Sequence, residues 1–261
     1  MTTTGEPIAA IVTEKVLANL ADFWADPQPE RHSGRMPQRI AGSRYDQQIP
    51  AGTQNPYWEI VRQLPVGSIG LHYEGRMEPD CYWFGPCDDL RSFSDRHTLC
   101  MTFAWSIISP GDVAWIKSRL NGAGIVEPGA GHGYWAWQLT QAGISVAAYE
   151  PRDPGDNNFV AGQPWFPVLP GDHDTPKHHP DRSLLLCWPS YSEPWASQAL
   201  ANYKGGQLFY AGEGWGGCCA DDSFFELLDA EWEEADTAPD HVSYSGIHCY
   251  LTEYRRKGTG R

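Results

Sequence analysis

A chain of 261 residues with 41% hydrophobic and 13% aromatic content is long enough to bury a core and too apolar to be disordered over most of its length. Its 33 acids against 19 bases leave a net charge of −14, a field that repels nucleic-acid phosphate and anionic membrane surfaces. Neither is expected as a partner; a small neutral or cationic ligand fits better, and the seven cysteines, an odd number without a C-x-x-C pair, read as thiols of a reducing cytoplasm.

In chain order, MTTTGEPIAAIVTEKVLANLADFW lacks a basic opening, and Glu14 and Lys15 break its apolar stretch, so neither a signal peptide nor a membrane span is expected. Ile8, Ile11, Val12, Val16, Leu20 and Phe23 recur at helical spacing, which predicts a packing helix over residues 7 to 25. Residues 26 to 56 show no period and read as loop. NPYWEIVRQL then predicts a short helix with Asn55 as its cap and Pro56 in its first turn. Residues 65 to 87 mix Gly, Pro and aromatics and fit either a hairpin or an irregular lid. SDRHTLCMTFAWSII reads as helical, with His97 as a packing residue. SPGDVAWIKSRLNG reads as a second helix, capped by Ser109 and stopped by Gly122.

From there strands alternate with helices. GIVE (124 to 127), ISVAAYE (144 to 150), SLLLCW (183 to 188), GQLFYAGE (206 to 213) and GIHCYLTEYRR read as strands; GYWAWQLTQAG, EPWASQALANYKG and DDSFFELLDAEWEE read as helices. This order predicts an α/β, doubly wound, mostly parallel sheet, which binds ligands beyond the carboxyl ends of its strands.

The run GIVEPGAGHGYWAW sits at such an end. Gly129, Gly131 and Gly133 allow main chain to approach a ligand closely, with Glu127 at the tip of one strand and Glu150 at the tip of the next. A dinucleotide fingerprint would want a small residue where Tyr134 stands, and Glu127 would face a pyrophosphate unfavourably. An ammonium or sulfonium suits it, and Glu150 can accept hydrogen bonds from ribose hydroxyls.

VEPGAGHGYWA with AAYEP resembles motif I and the following acidic position of class I S-adenosylmethionine (SAM) dependent methyltransferases. VLPGDHD, RSLLLCWPSY and GGQLFYAGE extend the resemblance, which covers roughly residues 109 to 261. It implies a seven-stranded sheet and SAM as cofactor; residues 1 to 108, where no motif of the family is found, are expected to form a mainly helical, partly irregular cap. The resemblance implies Glu127, Gly129, Ala130, Gly131 and Glu150 around the cofactor, Tyr134 beside its methionine part and Asp172 at its adenine. Trp188 falls beside the methyl group, where related amine methyltransferases carry a polar residue, so an oxygen acceptor is favoured over nitrogen. Tyr191 is expected to cover a flat substrate, with His173 or Glu213 as the base.

His173, Asp174, His178 and His179 otherwise read as a solvated, proline-broken loop, and no metal is expected. Trp135 reads as core, and Cys218 with Cys219 as structural. The expected activity is methylation of a small-molecule acceptor, of the kind found in specialised metabolism. The alternative is a catalytically silent SAM-binding subunit of a larger complex, and a third reading is NAD-linked oxidoreduction. Nothing in the sequence bears on oligomeric state.

Overall fold

The computed structural model describes residues 8–26, 38–66, 69–73, 76–77, 96–120, 124–153, 156–244 and 246–258. The first helix, α1, runs Ile8–Ala25 and buries Val16 and Leu20. Helix α2, Pro56–Gln63, starts as its cap predicts, with Asn55 Oδ1 accepting the Trp58 N–H at 2.9 Å. Strands β1 (Ile69–Tyr73) and β2 (Arg76–Met77) pair antiparallel, the hairpin alternative; Gly122 and residues 78 to 95 lie outside the described residues.

Helix α3, Arg96–Thr102, is shorter than expected. The chain leaves it because residues Phe103, Ser106, Ile107 and Ile108 all point into the core, which a one-sided helix cannot arrange. The freed backbone carbonyls find partners: Trp135 Nε1 donates to Ser106 at 3.1 Å and Asn55 Nδ2 to Ile108 at 2.8 Å. Helix α4, Pro110–Arg119, then opens with a reciprocal capping box between Ser109 and Asp112.

The alternating half forms one seven-stranded sheet. Its members are β3 (Ile125–Pro128), β4 (Val146–Glu150), β5 (Leu169–Pro170), β6 (Ser183–Cys187), β7 (Gln207–Gly212), β8 (Trp232–Thr237) and β10 (Tyr250–Arg256), in spatial order β5-β4-β3-β6-β7-β10-β8. The pairs from β5 to β7 are parallel, and β10 runs antiparallel to both its neighbours. The doubly wound, mostly parallel sheet read from the sequence is therefore present. Helices α5 (Tyr134–Gln141), α6 (Trp195–Asn202) and α7 (Asp222–Glu231) link its strands. Strand β9, Val242–Tyr244, leaves this sheet and pairs with β1.

Strand β8 departs from the expectation that the last helix runs through Glu234. Trp232 is buried and stacks on Tyr203, with the Arg256 guanidinium over its ring, and Trp232–Thr237 takes the edge beside β10. Tertiary pairing overrides the helical propensity of the acidic run here.

Sheet alternation sorts the core into two. Ile125, Leu185, Phe209 and Ala211 face a cluster that also holds Val16, Ile40 and Trp58; Val126, Leu184, Leu186 and Leu208 face one built with Phe224 and Trp232. Strands covered on both faces carry continuous apolar runs, which is why SLLLC and QLFYAG were legible as strands. Among the described residues, no helix is long and apolar enough to cross a membrane.

Candidate functional site

Strand β3 delivers Glu127 to the sheet's carboxyl edge, and the chain turns at Gly129 and Gly131 with φ of +71° and +55°. Both glycines are required by space as well as by conformation. A Cβ on Gly129 would come within 2.7 Å of the Trp195 ring at the start of α6, and one on Gly131 within 3.1 Å of Val160. The turn is fastened on its outer side: Ala130 N–H donates to the Tyr149 carbonyl at 2.9 Å and Gly131 N–H to Glu150 Oε2 at 3.0 Å.

Two carboxyls flank that turn. Glu127 is 2% exposed, and its Oε2 is buried without a hydrogen-bond partner. Burial raises its pKa from the ordinary 4.5 to about 8, opposed by the Ala136 N–H at the head of α5 and assisted by the charge of Glu150. Glu150 is also raised by burial, against the N–H groups of Gly131 and Arg152. Its two oxygens accept those two bonds and retain lone pairs for further donors.

A cavity of about 550 Å³ opens between these acids and a wall of aromatic side chains, a volume ordinary for a small-molecule site. Trp188, one residue past β6, lines it with φ of +48°. A non-glycine residue in that region costs about 1–3 kcal/mol, a strain that recurs at functional sites. The loop it begins is tied down by Trp188 N–H to Ala211 at 2.7 Å, Ser192 N–H to Ala220 at 2.8 Å and Ala220 N–H to Pro189 at 3.0 Å. His132, between Gly131 and Gly133, lines the cavity with its Nδ1 unpartnered, and burial lowers its pKa, so the ring is neutral near pH 7. Burial pushes the Cys187 thiol well above its usual value.

Glu127, Gly129, Ala130, Gly131, Tyr134, Glu150, Trp188 and Tyr191 all line this one cavity. Tyr134 does so with its ring alone, since its hydroxyl donates to Asn55 Oδ1 at 2.8 Å and accepts the Tyr57 N–H at 3.0 Å. Tyr191 stands at the rim, 65% exposed. Trp135, read as core, is buried and also lines the cavity.

Three expected residues are not among those lining it. Asp172 lies beyond the short β5, exposed, and its Oδ1 accepts the Asp174 N–H at 2.9 Å, the local turn chemistry of Asp. His173 belongs to the same turn, where its carbonyl accepts from Asn202 Nδ2 at 3.1 Å. Glu213 is buried behind the wall, with its oxygens accepting the N–H groups of Cys218 at 2.7 Å and His248 at 2.8 Å. It fastens the loops that carry Cys218 and Ile247 to the cavity and does not reach it.

Other residues at the cavity carried no sequence signal. Asn157, Phe159 and Val160 arrive from the long β4 to β5 connection, and Arg96, Cys100 and Trp105 from the segment before α4. His97, expected to pack, is exposed and meets Trp105 edge-on.

No protein-family model matches the chain, and no curated protein matches it. Solved structures do. A SAM-dependent methyltransferase from Anabaena variabilis is 10% identical over 56% of this chain and 82% of its own, with a TM-score of 0.40. Magnesium protoporphyrin IX methyltransferase from Synechocystis with bound S-adenosylhomocysteine is 15% identical over 56% and 80%, with a TM-score of 0.39. A TehB-like SAM-dependent methyltransferase from Corynebacterium glutamicum is 16% identical over 65% and 94%, with a TM-score of 0.40.

Proposed function

We propose that the chain is an enzyme, a SAM-dependent methyltransferase acting on a small-molecule acceptor, with oxygen favoured over nitrogen as the methylated atom. The observation that carries this is Glu127, a buried carboxyl with one unpartnered oxygen at the mouth of a bare main-chain turn, opposite a second carboxyl at the next strand tip. An unpaired buried carboxylate is costly, and a cationic ligand removes that cost.

The residues present fit the cofactor. Glu127 takes the ammonium, Glu150 accepts from the ribose hydroxyls, and the Gly129 to Gly131 turn leaves room for the nucleoside to lie against backbone. Asn157 and Val160 replace Asp172 on the adenine side. A pyrophosphate fits poorly, because Glu127 would oppose it and the buried Tyr134 stands where close helix packing wants a small residue.

SAM, when bound, supplies an electrophilic methyl group on a positively charged sulfur. The protein's part is alignment and exclusion of water: Trp188 and Trp105 wall the acceptor end, and their faces favour nearby positive charge. With His173 and Glu213 outside the cavity, the neutral His132 ring is the group placed to take a proton from a hydroxyl acceptor. Turnover that stays flat as pH falls through the imidazole range would remove it from that role.

Calorimetric titration with SAM, S-adenosylhomocysteine and NADH tests the assignment. Binding of the first two and not the third is expected; the opposite pattern overturns the reading. Formation of S-adenosylhomocysteine with an acceptor then separates the enzyme from a silent SAM-binding subunit, which binds without turning over.

A further inference from the structure

Arg96 opens α3 and lines the cavity. Among the described residues nothing accepts a hydrogen bond from it, and its Nε and Nη2 are sealed from solvent without a partner. What surrounds it is aromatic: the guanidinium carbon lies 5.2 Å from the Trp188 ring centroid, 5.7 Å from Trp105 and 5.8 Å from Tyr244. Ring faces offset part of the desolvation of a cation, but they do not replace a counter-ion. Elsewhere in this chain the same two nitrogens of Arg62 hold the Asp46 carboxylate at 2.6 and 3.0 Å. A cavity-lining guanidinium that no carboxylate among the described residues meets is a receptor for a carboxylate that a ligand brings.

Building on the methyltransferase reading, we propose that the acceptor is a flat aromatic acid, its carboxylate docked on Arg96 and its ring against Trp105 and Trp188. The carboxylate anchors, and the methyl-accepting atom lies elsewhere on the acceptor. The aromatic surroundings of the guanidinium argue for this class over a small hydrated anion. A simple anion must shed its water to reach it, whereas an aromatic acid exchanges ring contact for ring contact.

The carboxylate of the cofactor's own methionine end is a poorer fit. It shares one carbon with the ammonium that belongs at Glu127. Arg96 is instead placed among the rings of Trp105, Trp188 and Tyr244, at the acceptor end of the cavity.

Calorimetric titration of the full chain, saturated with S-adenosylhomocysteine, with naphthoate and with the neutral isostere naphthamide tests the proposal. The acid should bind at least about tenfold more tightly than the amide. Arg96→Met should erase that preference and Arg96→Lys keep part of it, with affinity for S-adenosylhomocysteine unchanged in both. Equal binding of acid and amide by the wild type, or no binding of the acid at millimolar concentration, overturns the proposal without any variant having to fold. So does a preference that survives in folded Arg96→Met. Weakened binding of S-adenosylhomocysteine but not of methylthioadenosine, which lacks the carboxylate, by Arg96→Met overturns it by moving Arg96 to the cofactor. If the wild type binds no S-adenosylhomocysteine the methyltransferase reading fails, while the acid-over-amide comparison made without it still decides the Arg96 site.

Discussion

Glu127 couples three quantities that are separable by experiment: burial, protonation and ligand charge. With a pKa raised to about 8, it carries a proton near neutrality in the free protein. An ammonium at its oxygen favours the ionised form, so binding SAM at pH 7 should release about one proton. Titrations in buffers of different ionisation enthalpy count that proton, and affinity should rise as pH climbs from about 6 toward neutrality, where the ligand's own ammonium is still protonated. The folded protein holds this proton more tightly than the unfolded chain, so the group lowers stability progressively as pH rises from 4.5 to about 8. Glu127→Gln should therefore raise the melting temperature of the free protein at pH 8 while weakening SAM by about tenfold or more. A variant that binds as well as wild type, or releases as many protons, removes Glu127 from the site. This residue was legible in the sequence because an acid at a strand tip before bare glycines has few other uses. Arg96 was not, because a guanidinium becomes informative only once its partners, or their lack, are seen.

At the scale of elements, caps were the most readable signals and edges the least. Asn55 and Ser109 open α2 and α4 as their side chains predict, and each does more than cap. Asn55 also accepts from Tyr134, which ties α2 to the helix that follows the glycine turn. Asp112 completes the α4 capping box and meets His241 Nδ1 at 3.1 Å, in a fully buried cluster with Ser106 and Cys249. Burial alone would strip the proton from His241, but Asp112 and the adjoining Cys249 outweigh it and raise the pKa to about 10. A histidine whose folded pKa exceeds its unfolded one contributes stability that is complete below about 6.5 and lost as pH rises through about 10. Thermal melts across that interval should show the loss in the wild type. Asp112→Asn should flatten it, because burial then leaves the ring neutral, and cost about 3–5 kcal/mol at neutral pH through loss of the buried pair. A flat wild-type profile would mean the ring is neutral. None of this pairing could be read from spacing, since Asp112 and His241 are joined only by tertiary contact. The same holds for β8, where pairing with β10 overrode a helix-favouring acidic run.

Taken as a whole, the chain divides by motif near residue 109 but not by core. The larger apolar cluster joins Val16, Ile40 and Trp58 from before that point to Ile125, Leu185 and Phe209 after it, and β1 pairs with β9 across the same boundary. Cavity residues come from both sides too: Arg96, Cys100 and Trp105 line it together with Glu127 and Trp188. Each large apolar side chain buried in that shared cluster contributes about 1.5–3 kcal/mol, so removing the first third strips far more than the few kcal/mol by which domains of this size are stable. The shared cluster predicts that residues 1 to 108 and the sheet unfold together, which the absence of a recognisable motif in that stretch left unreadable in the sequence. Calorimetric unfolding of the intact chain should show a single transition that S-adenosylhomocysteine moves upward as one. A chain starting at residue 109 should lose cooperative unfolding and bind no cofactor. Two transitions in the intact protein, with only one responding to the ligand, would instead make residues 1 to 108 an independent cap resting on a self-sufficient binding domain.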